Sequence, residues 1–141
     1  MDTVTGLAVG NALYPLLSGF QEINGLSLRT VWQIEDAGSD CIIVDFGARL
    51  LVVSAVPDDD TIDFQFADPT SLPPGSVEVS QLAPWKDYVG VPFGWGWITV
   101  SQQGYCDGVL LSFGGIFPQV VLSVVASSIK IGQVHKVPRP E

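Results

Sequence analysis

Positive charge is what this chain has least of. Six Lys and Arg stand against fifteen Asp and Glu, for a formal net charge of -9. Free nucleic acid needs a basic footprint for its phosphates, so it is not expected as a partner. An anionic membrane surface is disfavoured for the same reason. Histidine occurs once, as His135, which leaves no material for a histidine-based metal centre and little for a nucleophile–histidine pair. No serine sits in a G-x-S-x-G elbow. Two cysteines, Cys41 and Cys106, are too few for a disulfide framework. Each lies in an apolar strand pattern and reads as a reduced core thiol, which points to the cytoplasm. Long apolar runs are missing too: residues 120–129 are interrupted by serines and fall short of the ~20 needed for a spanning helix. No basic residue precedes the apolar N-terminal residues, so no secretory signal is expected.

What is present is apolar. Hydrophobic residues make up 47% of the 141-residue chain and charged ones 15%, enough for one domain with a sizeable core. Leu13, Leu16, Leu17 and Phe20 recur at helical spacing, which predicts a helix over residues 11–20, capped by Asn11, with Pro15 near its first turn. After Gly25 the period changes to 2. Residues 26–34 alternate, with Leu26, Leu28, Trp32 and Ile34 on one face; residues 41–46 and 50–56 complete a meander. Residues 61–66 turn Ile62, Phe64 and Phe66 inward. A short strand is expected at 77–79, an irregular stretch anchored by Trp85 and Tyr88 at 84–92, and one or two strands over 120–134. The expected fold is mainly β: an antiparallel sandwich or open barrel of about seven to nine short strands with one N-terminal helix. A single domain covers 1–141, with the β core at 26–134 and a mobile tail at 135–141.

The segment FGWGWITVSQQGYCDGVLLSF, residues 93–113, reads as a hairpin. Gln102-Gln103-Gly104 suits a three-residue loop with glycine in the left-handed position. That loop sets Thr99 opposite Asp107, Trp97 opposite Val109, Trp95 opposite Leu111 and Phe93 opposite Phe113. One face is then apolar, and the other carries Gly94, Gly96, Gly108 and Ser112. On this register Trp95 and Trp97 pack in the core, or form an aromatic platform for a sugar or a partner's side chain. Packing of their own does not explain Gly94 and Gly96; they would let another segment approach closely.

Carboxylates gather at Asp58, Asp59, Asp60 and Asp63. The run lacks the glycine and distal glutamate of an EF-hand loop, so no metal is expected, and no cofactor. It reads as a solvated turn or as a contact surface for basic side chains. Glu35 and Asp36 are a second acidic pair. Asp45 or Glu35 with Asp107 are the candidates for carboxylate-based hydrolysis, which needs a pair ~5–9 Å apart. Asp107 also has a structural role open to it, accepting hydrogen bonds that fix the hairpin's end.

The pattern W-x-x-x-S-x-x-G-Y-x-D-G at residues 97–108, together with D-D-D-T-I-D at 58–63, resembles the signature of a small bacterial family catalogued as a domain of unknown function. The resemblance covers residues 26–134. It implies a bacterial origin and a small β-rich architecture, and brings no activity or catalytic residues. The function expected is that of a non-enzymatic acidic module that binds a basic protein, in the manner of an immunity-type inhibitor or an adaptor. Its contact residues would be Glu35, Asp36, Asp58, Asp59, Asp60 and Asp63, with Trp95 and Trp97. The alternatives are a carboxylate-based hydrolase and a module binding a small ligand or carbohydrate.

Overall fold

Alternation of apolar and polar residues builds two antiparallel sheets, and a computed structural model describes residues 17–36, 39–56, 61–125 and 128–135 of them. In the first sheet β1 (Thr30–Asp36), β2 (Ser39–Asp45), β3 (Leu50–Val56) and β4 (Thr61–Ala67) run as a meander. The two-residue β5 (Val77–Glu78) pairs with the free side of β1, giving the order β4-β3-β2-β1-β5. The second sheet is a meander of β6 (Phe93–Val100), β7 (Cys106–Phe113), β8 (Val120–Val125) and β9 (Ser128–Gln133). The sheets pack face to face as a sandwich, without barrel closure, through β4 on β7 and β8 and through β9 on β2 and β3.

Between them Val31, Val44, Leu51, Val53 and Phe64 meet Val109, Leu111, Val120 and Leu122, all buried. One end of this core is aromatic. Phe20 stacks on Phe93, Phe46 meets both Phe93 and Phe113, and Tyr88 stacks on Phe113 at 5.2 Å between ring centroids. Trp85 is buried as the sequence anticipates. Ser80, also buried, accepts a hydrogen bond from the Val31 amide at 2.7 Å and ties the segment after β5 to β1.

Three details differ from the sequence reading. Only the end of the expected helix lies among the described residues: a helical turn at 17–19 continues as a 3-10 turn over Phe20–Glu22, where Phe20 is buried and Leu17 exposed. Residues 26–34 are not one strand. Residues 25–28 pair instead with 90–93, the Leu28 amide donating to Val91 and the Phe93 amide to Leu26. Parity therefore restarts at β1, where Val31 points into the core and Trp32 and Ile34 lie outside it.

The third difference is in the hairpin. Its loop is as expected, with Gly104 at φ 89°, the Ser101 amide donating to Tyr105 and the Gly104 amide to Ser101. Val100 pairs with Cys106 and Phe93 with Phe113, on the expected register. Between those pairs the ladder is displaced by one residue: Trp95 opposes Ser112, Trp97 opposes Leu110, and Ile98 opposes Val109. Bulges that leave Gly94 and Asp107 unpaired absorb the offset at its two ends.

Candidate functional site

A one-residue displacement turns a strand segment over, and here it brings both tryptophans out of the core. Gly96 and Ile98 now point inward, while Trp95 and Trp97 stand on the outer face of the second sheet with Leu110 and, one strand further, Val121. Trp95 is 54% exposed and Trp97 half-buried. Of the two readings left open, core packing gives way to an outward aromatic face.

The glycines make this arrangement possible. A Cβ on Gly96 would lie 2.4 Å from the Phe20 ring, so the glycine admits the helical turn against β6. A Cβ on Gly94 would lie 1.9 Å from the Gly115 carbonyl oxygen, so this bulge residue admits the loop after β7. Ser112 donates to the same carbonyl at 2.5 Å and fixes that loop beside Trp95. The loop's Ile116 is 77% exposed. Isolated exposed apolar residues need no explanation; Trp95, Trp97 and Leu110 differ in sharing one outer face.

A cleft of about 400 Å3 runs beside these rings. One wall comprises Leu17, Phe20, Gln21 and Asn24; the other is β6 over residues 93–98. It touches inward and outward residues of β6 alike, so it lies along the edge of that strand. Among the described residues its lining holds the side-chain amides of Gln21 and Asn24 and no carboxylate.

The carboxylates converge elsewhere. In two antiparallel meanders the β1–β2, β3–β4, β6–β7 and β8–β9 connections fall at one pole, as the terminal pairs Asp36–Ser39, Val56–Thr61, Val100–Cys106 and Val125–Ser128 require. Asp40 of the first sheet accepts from the Ile129 amide of the second at 3.0 Å, which joins the two sheets there. Glu35 and Asp63 are exposed near this pole. Asp107 accepts from the Thr99 hydroxyl at 2.5 Å, the hairpin-fixing role open to it in the sequence. The Cys106 thiol lies close enough to feel Asp107 and Asp63. Burial first, and then these two charges, hold its pKa above the usual thiol value. Asp58, Asp59 and Asp60 lie outside the described residues, as does the side chain of Asp36.

Arg49 sits at the opposite pole. Arg49 bonds both Glu22 and Asp68 there, holding the 3-10 turn to the end of β4. Asp45, also at that pole, accepts from the Gly47 amide at 2.7 Å and from the Thr30 hydroxyl. Asp45 and Glu35 therefore fall at opposite ends of the first sheet and Asp107 on the second. Of the acidic candidates the structure brings Glu35, Asp63 and Asp107 to one pole, and it brings the tryptophans to one face. It places neither Asp45 nor Asp107 in the cleft.

Sequence reasoning left the outward placement of the tryptophans as one of two alternatives, and missed the exposed Ile116 and the cleft with Gln21 and Asn24. The available signal was the pair Gly94 and Gly96, spaced to admit neighbours on the face away from the rings. No curated protein and no solved structure is significantly similar to the chain. The model of a family of unknown function, DUF6334, matches residues 13–138, and the chain belongs to that family.

Proposed function

We propose that this protein is a non-enzymatic, acidic protein-binding module whose partner is a basic protein, an immunity-type inhibitor or an adaptor acting in the cytoplasm. The observation that carries the reading is the outward placement of Trp95 and Trp97 on an apolar face shared with Leu110. Trp rings at the centre of an interface supply much of its affinity. The acidic pole around Glu35, Asp63 and Asp107 would steer a basic partner toward that face. Affinity purification from native lysate at low salt, read by mass spectrometry, tests it. A stoichiometric basic partner is expected, lost with Trp95→Ala/Trp97→Ala and associating more slowly with Asp63→Lys/Asp107→Lys. Recovery of no stoichiometric partner would sink the reading.

One observation favours a second reading, a small-ligand or carbohydrate module. The cleft is of the size ligand sites have, and sets two amide side chains near two indoles. Saturable quenching of tryptophan fluorescence by a simple sugar panel, removed by Asn24→Ala, would favour it over the protein-binding one.

A further inference from the structure

The four sheet edges of this sandwich are treated unequally. β4 carries the exposed Asp63 and Gln65; β5 is two residues long with Glu78; β9 carries the exposed Lys130 and packs against β2 and β3. Such charges and short lengths are how sheets discourage further strands from adding. β6 is eight residues long, FGWGWITV, with no charge and no proline. Residues 25–28 cover only its first residue, the Gly25 amide donating to the Phe93 carbonyl and the Phe93 amide to Leu26.

Beyond that point no described residue pairs with the edge. In an antiparallel ladder, hydrogen-bonded pairs alternate with non-bonded ones. The Leu111 carbonyl is turned toward the β8 side, where it accepts from the Gln119 amide at 2.9 Å. Gly96–Leu111 and Ile98–Val109 are therefore non-bonded pairs, and the peptide groups of Gly96 and Ile98 point away from β7. Past the Asp107 bulge the Ser101 amide donates to Tyr105, which makes Val100–Cys106 non-bonded as well. Among the described residues nothing pairs with this row, and the cleft runs along it.

We propose that the edge of β6 over Gly96, Ile98 and Val100 takes up an extended segment of the partner protein as an added strand, with apolar residues at alternate positions and Lys or Arg between them. This rests on the protein-binding reading and specifies what the partner offers. Main-chain bonds would give affinity, and the cleft would receive one side chain of the segment. The basic character follows from charge. Among the described residues neither wall of the cleft carries Lys or Arg, Asp107 lies at the far end of the strand, and the chain as a whole is at -9. A second copy is a poorer occupant, because two such charges repel and the helical turn rises beside the edge.

The test begins with a displayed library of random dodecamers, selected on the full chain at low salt, and uses the synthetic form of the most enriched peptide as probe. Amide hydrogen exchange by NMR should show Gly96, Ile98 and Val100 exchanging freely in the protein alone and roughly tenfold or more slower with peptide bound. Methylating alternate peptide nitrogens should weaken binding about tenfold, and methylating the intervening ones should change it little. Four results overturn the proposal: no enrichment, binding that leaves those amides unprotected, amides already protected in the protein alone by residues before Leu17, or protection that follows self-association in sedimentation. None of them touches the lysate experiment, so strand addition can fail while protein binding stands.

Discussion

Replacing Trp95 and Trp97 by alanine separates the outward face from the core more cleanly than any other change. A fully enclosed tryptophan withdraws ~150–250 Å2 from water. Trp97 packs against Leu110 with roughly two-thirds or more of its surface withdrawn, so about 150 Å2 is at stake, or ~4 kcal/mol at ~25 cal/mol/Å2. Residual burial in the unfolded chain trims that by ~10–40%. No cavity contribution is added, because the outer face is open to solvent. Urea unfolding should therefore show a loss of ~2–3.5 kcal/mol for Trp97→Ala, and ~1–2 kcal/mol for Trp95→Ala, whose ring is 54% exposed. Leu111→Ala is the internal standard: its side chain is 0% exposed, and its loss should be ~3–5 kcal/mol. Unchanged m-values are required for the comparison. If Trp95→Ala costs as much as Leu111→Ala, the rings are in the core and the bulged register is wrong.

Two further outcomes follow from the same geometry. Gly94→Ala should destabilise by ~1–3 kcal/mol in urea, since its Cβ would sit 1.9 Å from the Gly115 carbonyl oxygen and backbone must move; a neutral result would remove the loop after β7 from its place on the bulge. Cys106 should react with a disulfide reagent only after unfolding, because burial and two nearby carboxylates favour its neutral thiol. Its folded pKa is raised above 9.0, so this contribution is fully present below that value. It is lost as pH climbs from there through the folded pKa, because the unfolded thiol ionises first. Urea midpoints of the wild type and Cys106→Ala across about pH 8–10.5 should diverge in slope, and parallel curves would refute the assignment.

Most strands were legible because burial on one face imposes a period of 2, and residues 61–66 show it plainly: Ile62 and Phe64 are core, Asp63 and Gln65 exposed. What failed was parity carried across a break. Residues 26–34 alternate as if continuous, yet the segment up to Leu28 pairs with 90–93 and β1 begins afresh at Thr30. The hairpin failed in the same way from inside. Its loop and both terminal pairs are correct, but bulges at Gly94 and Asp107 slip the middle by one residue. Sequence alternation counts residues, whereas facing depends on residues minus bulges. A glycine inside a strand signals a bulge as well as a close approach, and Gly94 is the site of both.

The acidic candidates were legible as residues but not as a group. Glu35 and Asp63 are separated by two strands, and what unites them is strand direction: alternate connections of a meander return to the same end. Asp107 joins them because the second sheet is laid with its own hairpin turns at that pole, a fact of sheet packing that local sequence does not contain. The β6 edge poses the opposite difficulty. A run such as FGWGWITV, free of charge and proline, invites assignment to the interior, since uncharged strands are usually covered. Here the strand ends its sheet, so the missing charges mean an unguarded edge rather than a buried centre. Position in the sheet decides which meaning holds. The feature that made this segment look like core is, at an edge, the strongest reason to expect another chain against it.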